Sequence, residues 1–177
     1  LIRNHELHPD HIAKLPQSLQ NHKSNFSYDT YSNGVALPGG TSTIVYNLGT
    51  GKKEQEFLSL IGTIRNCAGG VTPWGTWLSC EESVDIPNST ISQEHGYIFE
   101  VPATAKGSVE PIPLKKMGRF NHEAAAVDPA SGIVYLTEDR GDSLFYRFIP
   151  NAYGDLAKGG KLQALVIKSK AQYDTRN

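Results

Sequence analysis

A short pattern that occurs three times constrains the fold more than any other feature of this sequence. An Asn-His or Asn-Cys pair stands at residues 4–5, 66–67 and 121–122, and similar lengths of chain separate the three pairs. The second and third pairs are followed by a Pro- and Gly-containing turn and a strand-like run with an acidic end, at 81–82 and 138–139. Repeated strand units are typical of β-propellers, whose blades recur at about 40–50 residues, so these units fit slightly enlarged blades. Equivalent positions of successive blades converge around one axis, and we expect these polar residues to form one site.

Short β-rich runs between Gly, Pro, Asn and Asp residues predict an all-β fold, because convincing helical periodicity is scarce. The predicted strands are 43–47, 56–62, 75–81, 96–101, 109–115, 123–127, 133–137, 143–149 and 162–168. The polar segment 8–32 predicts a long loop insertion with one helical turn near 12–19, and loops of this length are often functional. We expect one domain, residues 1–177, that forms about three blades of a partial β-propeller. A sandwich of repeated hairpins is the alternative architecture.

The charge balance excludes two classes of partner. The chain has 17 Lys and Arg against 18 Asp and Glu, a net charge of −1, and its longest basic run is Lys115-Lys116. Nothing in this balance predicts binding to nucleic acid or to an anionic membrane. The apolar runs are far shorter than the about 20 residues that a membrane span requires, so we expect no membrane span. The sequence opens at Leu1 with no recognisable targeting segment, which leaves the compartment open.

Cys67 lies in the Gly-rich run 66–70, where we expect a tight loop that exposes its side chain. In the repeat it takes the position that His5 and His122 hold in the other units, and Cys and His are both metal ligands. Two roles for Cys67 therefore stay open: that of a metal ligand, and that of a nucleophile with a histidine as its base. The alternatives are a buried free thiol or a disulfide with Cys80, which itself falls at a packed position of a predicted strand.

Six carboxylates are expected near the same mouth of the propeller. They are Glu6, Glu81, Glu82, Glu123, Glu138 and Asp139. Carboxylates this close repel one another unless cations neutralise them. Oxygen ligands favour calcium or magnesium, whereas a thiolate among them favours a transition metal such as iron, so these residues predict a mixed metal cluster. For any one acidic pair, a solvated turn is the alternative. Arg140 is a candidate for binding a phosphate dianion, with an ion pair to Asp139 or Asp142 as the alternative.

Three stretches of the chain resemble the PhoX family of alkaline phosphatases. They are Arg-Asn-His-Glu at 3–6, Asn-Cys-Ala-Gly-Gly-Val-Thr-Pro-Trp-Gly-Thr-Trp-Leu-Ser-Cys-Glu-Glu at 66–82, and Gly-Arg-Phe-Asn-His-Glu at 118–123. The resemblance spans roughly residues 1–150. It implies a six-bladed β-propeller with an iron and calcium cluster at one end of the channel, phosphomonoesterase activity on small phosphate esters, and a periplasmic or secreted location. The chain has the length of about three such blades, so the remainder of the propeller or another chain is expected to complete it.

The resemblance also implies roles for single residues. Cys67 and either Glu81 or Glu82 would bind iron, and Glu123 would be a further ligand, which makes Cys67, Glu81 and Glu123 the catalytic set. The calcium candidates are Glu6, Glu138 and Asp139, and Glu82 belongs to the metal ligands in either case. A disulfide between the two cysteines is disfavoured, and a metal-bound oxygen rather than a serine would attack phosphorus in line. Two other functions stay open: a calcium-stabilised propeller that binds a partner without catalysis, and a calcium-dependent lactone or ester hydrolase of the same fold.

Overall fold

The computed structural model describes residues 1–170 and 173–174, and these are almost all strand, turn and loop. The strands are β1 (Ile2–His5), β2 (Gly39–Asn47), β3 (Lys52–Thr63), β4 (Asn66–Val71), β5 (Thr76–Glu81), β6 (Ile98–Pro102), β7 (His122–Val127), β8 (Val134–Glu138), β9 (Phe145–Pro150) and β10 (Gly160–Ala164). Helical structure in this part of the chain is one α-helical turn, α1 (Gln17–Gln20), and three 3-10 turns at Pro9–Lys14, Lys115–Met117 and Leu156–Lys158. No helix in the described ranges is long and apolar enough to cross a membrane.

The ten strands form three antiparallel sheets, and each sheet is a meander of strands that follow one another along the chain. The first sheet has the order β1-β2-β3, the second β4-β5-β6 and the third β7-β8-β9-β10. Consecutive small antiparallel meanders are the blades of a β-propeller. The chain therefore forms three adjacent blades of a partial propeller, which confirms the predicted fold class.

Among the described residues, two of the three hydrophobic clusters join one sheet to the next. The larger core joins the second and third sheets, and its fully buried side chains include Leu78, Cys80, Ile98, Leu136 and Phe148. The smaller core joins Leu60 of the first sheet to Phe99 and Val101 of the second. Each fully buried Leu or Phe contributes about 1.5–3 kcal/mol relative to an exposed side chain. The packing therefore fixes the positions of the strand ends, where the polar residues lie.

β4 replaces the loop that the sequence predicts around Cys67. The glycines that suggested a loop serve close packing instead. A Cβ at Gly69 would overlap the carbonyl of Leu78 in β5, and a Cβ at Gly70 would overlap the carbonyl of Ala125 in β7. Glycine at both positions permits these backbones to approach. β4 and β7 thus lie side by side, as the first strands of neighbouring blades do around a propeller axis.

The predicted strand at 109–115 is wrong. Its one bridge joins Pro113 to Phe99, and Leu114 donates its N–H to the carbonyl of Ile98 at 2.9 Å. Pro111 and Pro113 have no N–H to donate, so they interrupt a regular ladder. The segment still runs along β6, in the place that β10 holds beside β9 in the third sheet.

The polar segment 8–32 is bonded to the first blade. It contains two short helical turns, where the sequence predicts one near 12–19. Tyr28 and Asp29 donate their N–H groups to the carbonyls of Ile61 and Gly62 in β3, at 2.9 and 3.0 Å. The side chain of Asp29 is buried, so the segment brings a carboxylate into the interior near the end of β3.

Candidate metal centre

A thiol and four carboxylates meet at one end of the three blades. They are Glu6, Cys67, Glu82, Glu123 and Asp139. Cys67 and Glu123 are the second residues of β4 and β7, and the other three directly follow β1, β5 and β8. Because the sheets hold their own strand ends, ligands at these positions have a fixed geometry. The structure brings together five of the residues that the sequence predicts as ligands.

The strand register shows why these positions coincide. Asn66 and His122, the first residues of β4 and β7, pair with the last residues of β5 and β8, and the register shifts in the same way after each pair. Cys67 is therefore equivalent to Glu123, and the predicted equivalence of Cys67 with His122 is wrong by one residue. Side chains alternate between the two faces of a strand, so of two adjacent residues one faces the site and the other faces the core.

Within its blade, β1 is structurally equivalent to β5 and β8 rather than to β4 and β7. It ends at the site, as β5 and β8 do, whereas β4 and β7 begin there. Glu6 is therefore equivalent to Glu82 and Asp139, each of which directly follows its strand. The two kinds of position alternate around the end of the propeller, from Glu6 through Cys67, Glu82 and Glu123 to Asp139.

The five side chains form two overlapping groups that share Glu82. Ligand atoms of Glu6, Cys67 and Glu82 all lie within 4.8 Å of one another, and so do those of Glu82, Glu123 and Asp139. Cys67 Sγ also lies 3.3 Å from Glu123 Oε1, which joins the two groups. Ligands that bind one ion at about 2.0–2.6 Å stand no more than about 5 Å apart. The arrangement can therefore hold two ions, with Glu82 between them.

Negative charge is crowded in these groups. Burial raises the pKa of the Cys67 thiol to about 12, and the hydrogen bond to Glu123 and the charges of Glu123, Glu6 and Glu82 add to this effect. Burial also raises the pKa of Glu82, against the lowering effect of Arg65. A bound cation would oppose both shifts, because it stabilises thiolate and carboxylate forms. The donor set thus fits a metal ion.

We expect the Cys67 thiol of the chelator-treated protein to react slowly with iodoacetamide at pH 7, and faster by about tenfold for each pH unit up to about pH 10. A pKa of about 12 keeps the thiol protonated over this range, so the reactive thiolate fraction follows the pH. Mass spectrometry of the Cys67 peptide measures the rate. Both cysteines are free thiols rather than a disulfide, and the fully buried Cys80 is the unlabelled internal control. A rate that levels off near pH 8 would contradict the raised pKa.

Arg65 is a site residue that the sequence reasoning missed. Its Nη2 donates to Glu82 Oε2 at 2.8 Å and lies 3.6 Å from Glu6 Oε1. Among the described residues it is the one non-glycine residue with a positive φ, 45°. Such backbone conformations are uncommon and concentrate at functional sites. The one sequence signal for it is the Arg-Asn pair that occurs at both 3–4 and 65–66, and this pair was not used.

Glu81 lies outside the two groups, although the sequence offers it as a ligand on equal terms with its neighbour. Its carboxylate is fully buried. Oε1 accepts the N–H of Ile64 at 3.0 Å and lies 2.7 Å from His95 Nδ1. Oε2 accepts the N–H groups of Gly96 and Tyr97 at 2.8 and 3.1 Å. These partners occupy both oxygens, so its role as a ligand stays a prediction that this geometry does not favour.

A buried histidine links Glu81 to Asp29. His95 Nε2 lies 3.2 Å from Asp29 Oδ2, and the same carboxylate accepts two N–H groups of residues 92–93 at 2.9 and 3.0 Å. Burial lowers the pKa of His95, but the hydrogen bonds and charges of Glu81 and Asp29 outweigh burial and raise it overall. The network fixes the end of β5, from which Glu82 reaches the ligand groups.

The two histidines of the repeat belong to the packing rather than to the ligand groups. His122 is fully buried, with its ring 3.7 Å from that of Phe120, and burial lowers its pKa to about 4. His5 Nε2 lies 2.8 Å from the hydroxyl of Ser42, and burial lowers the pKa of His5 as well. The predicted equivalence of these histidines with Cys67 is wrong. Glu123 holds the position equivalent to Cys67 in β7, and Glu6, directly after His5, is equivalent to Glu82 and Asp139.

Two further predicted residues lie beside the ligand groups. Glu138 Oε2 accepts the N–H of Leu144 at 3.2 Å and the hydroxyl of Tyr146 at 3.1 Å, so this oxygen is bonded to the neighbouring β9 and the residue before it. Arg140 is exposed directly after Asp139. Calcium binding by Glu138 and phosphate binding by Arg140 stay predictions.

The chain is a partial β-propeller with a candidate metal centre, because three blades bring a thiol and carboxylates together at one end. The sequence model of the family described as "Alkaline phosphatase PhoX" matches residues 30–176, and the chain belongs to this family. Among solved structures, the chain is similar to Pseudomonas fluorescens PhoX in complex with vanadate, a transition state analogue, with 23% sequence identity and a TM-score of 0.45. That match covers 65% of this chain and 28% of the Pseudomonas chain. No curated protein matches.

Proposed function

We propose that this chain carries the metal centre of a phosphomonoesterase that acts on small phosphate esters. The observation that carries the proposal is the meeting of the Cys67 thiol with four carboxylates at the strand ends of adjacent blades. Membership of the PhoX family supports it. A solvated acidic surface has no need of a half-buried thiol 3.3 Å from the Glu123 carboxylate, whereas a metal centre uses both as ligands.

The two ligand groups suit different ions. We assign iron to the group of Glu6, Cys67 and Glu82, because a thiolate selects a transition metal. We assign calcium to the group of Glu82, Glu123 and Asp139, because all its ligands are hard carboxylate oxygens. In this assignment Glu82 is the ligand at the end of β5, and Glu6 moves from the calcium set to the iron set.

The residues of the chain fix where the chemistry takes place. Bound ions would supply the Lewis acidity that stabilises charge on the phosphoryl oxygens and lowers the pKa of water. Glu82, fixed at the end of β5, sets the spacing between the two groups. Glu6 and Asp139 are exposed, whereas Cys67 and Glu123 are half-buried. A substrate phosphate would therefore approach from the solvent side, across the exposed carboxylates.

Further blades complete the propeller in this proposal. Phe145 in β9, and Leu165 and Val166 directly after β10, expose apolar side chains that line a groove of about 370 Å³. An exposed apolar surface of this kind marks a contact region, and each propeller blade buries such a face against its neighbour. The chain spans 28% of the Pseudomonas chain it resembles. We therefore assign the activity, and the periplasmic or secreted location, to the complete natural protein.

Metal removal from the complete natural protein tests the proposal. We expect hydrolysis of p-nitrophenyl phosphate to disappear after chelation and to return with iron and calcium together. Cys67→Ala removes the thiolate ligand and should lower both the iron content and the rate by at least about 100-fold. Cys80→Ala is the matched control, because the Cys80 thiol lies in the hydrophobic core and belongs to neither ligand group. Elemental analysis and a steady-state assay provide the measurements.

The same experiment separates the alternatives. Full activity in the chelated protein would reject a metal-dependent phosphatase. Calcium without iron would favour a calcium-stabilised binding propeller, which has no use for a thiolate. Hydrolysis of lactones or carboxylic esters without hydrolysis of phosphate esters would favour the third function of the same fold.

A further inference from the structure

Arg65 places a positive charge among the ligands of the proposed metal centre. Its Nη2 lies 2.8 Å from Glu82 Oε2 and 3.6 Å from Glu6 Oε1, and both carboxylates belong with Cys67 to one ligand group. We propose that Arg65 holds these two carboxylates until a metal ion takes them, and that its released guanidinium then binds the phosphate of the substrate. The first step rests only on the metal centre of the proposed function, and the second rests also on its phosphatase activity.

The backbone of Arg65 is held on both sides, so a change of partner involves its side chain alone. Its N–H donates to the carbonyl of Leu7 at 2.9 Å, and its carbonyl accepts the N–H of Glu82 at 2.9 Å. These bonds keep the residue at φ 45°, in the two-residue connection between β3 and β4. The side chain is 38% exposed and has a long, flexible stem. It can therefore leave Glu82 without any movement of the strands.

A metal ion and the guanidinium would compete for the same two carboxylates. A cation held by Glu6, Cys67 and Glu82 would draw the same two carboxylates away from Arg65, and its charge would repel the guanidinium. Because the backbone stays in place, the released side chain remains at the edge of the ligand group. The planar fork of a guanidinium matches the oxygens of a phosphate dianion. Arg65 is thus positioned to contact the substrate phosphate beside the metal centre.

Two other arginines near the site are less suited to this role. Arg119 Nη2 donates to the carbonyls of Val84 and Asp85 at 2.6 and 3.0 Å, which fix it away from the ligands. Arg140 is exposed after Asp139. Among the arginines in residues 1–170, Arg65 is the one that forms an ion pair with a carboxylate of the ligand groups.

Iron(II) binding to the chelator-treated complete protein, titrated anaerobically by calorimetry, tests the competition. Arg65→Asn removes the charge and introduces a residue that tolerates a positive φ. We expect iron(II) to bind this variant about three- to fivefold more tightly, since a partly exposed ion pair no longer competes. Arg147→Gln is the control, because Arg147 contacts Gln163 in the third sheet, and its iron(II) affinity should equal that of the wild type. An unchanged or weaker affinity in Arg65→Asn would overturn the competition.

Phosphate binding tests the second step. Inorganic phosphate should bind the metal-loaded Arg65→Asn protein about 10- to 100-fold more weakly than the wild type, because a charge-assisted pair of hydrogen bonds is lost. The KM for p-nitrophenyl phosphate should rise more than kcat falls. If Arg65→Asn does not fold, Arg65→Lys decides the question. It keeps the charge but lacks the fork, so phosphate should bind it about tenfold more weakly, and wild-type affinity would overturn the role.

Failure of the two proposals can be told apart. If the complete protein hydrolyses phosphate esters and Arg65→Asn changes neither iron(II) nor phosphate affinity, the inference about Arg65 is wrong and the proposed function stands. If the wild type hydrolyses no phosphate ester, the proposed function and the phosphate contact are both wrong. The iron(II) titration then still decides whether Arg65 competes with the metal.

Discussion

Glu82→Gln in the complete natural protein is expected to lose both kinds of metal ion while the protein stays folded. Glu82 is the one residue common to both ligand groups, and glutamine keeps its volume but not its charge. We expect the affinity for iron and for calcium to fall by at least about 100-fold each, and the phosphatase rate to fall with them. Elemental analysis after dialysis, together with the unfolding temperature, measures the two effects separately.

Substitutions in one group alone provide the controls. Asp139→Asn should weaken calcium binding and leave iron in place, whereas Glu6→Gln should do the reverse. The loss of the Glu82 charge also breaks the ion pair with Arg65, but a partly exposed pair contributes only about 0–1 kcal/mol to stability. If Glu82→Gln loses one metal and retains the other, Glu82 does not bridge the two groups.

In contrast to Glu82→Gln, the substitution Glu81→Gln is expected to destabilise the fold and to leave metal binding in place. The Glu81 carboxylate is fully buried and faces four partners, three backbone N–H groups and His95. A glutamine amide presents an NH2 group where at least one of these donors needs an acceptor, and it leaves His95 without the charge that balances it. We expect the free energy of unfolding to fall by about 3–5 kcal/mol, as for other broken buried pairs. Urea unfolding measures this loss.

Glu138→Gln is the matched control for Glu81→Gln, because the register places Glu138 at the equivalent end of β8. Its carboxylate accepts two hydrogen bonds and is only partly buried, so we expect a loss of about 1 kcal/mol. Wild-type stability together with lost metal in Glu81→Gln would show that Glu81 is a ligand and that the hydrogen bonds around it are dispensable.

Most of the strands could be predicted from the sequence, because they are short β-rich runs between turn residues. β2, β3 and the six strands from β5 to β10 all overlap their predicted ranges, whereas β1 was not predicted. β4 was missed because its glycines are local signals of a loop, and only the neighbouring carbonyls of Leu78 and Ala125 explain them. The strand predicted at 109–115 is wrong for the reverse reason. Its apolar residues resemble those of a strand, but two prolines interrupt the hydrogen-bond ladder.

The residue types of the candidate site could also be predicted, but not their register. The repeat aligned Cys67 with His122, one residue away from its structural equivalent, Glu123. At the end of β5 the sequence offered Glu81 and Glu82 alike, since two adjacent acids look the same in a pattern. Their partners differ completely, because one carboxylate meets the buried His95 and the other meets the ligand groups.

The repeated Asn-His and Asn-Cys motif, together with the strand-like runs and acidic strand ends that follow it, determined the all-β propeller class and the residue types of the candidate site. Repeated strand units can bury their faces only against one another, and equivalent residues then converge. Tertiary structure alone decided which carboxylates face the site, and that β1 corresponds to β5 and β8. It also placed Arg65 between two of the ligands. These features depend on strand register and on hydrogen bonds between residues far apart in the chain, and a one-residue difference in register turns a side chain to the other face.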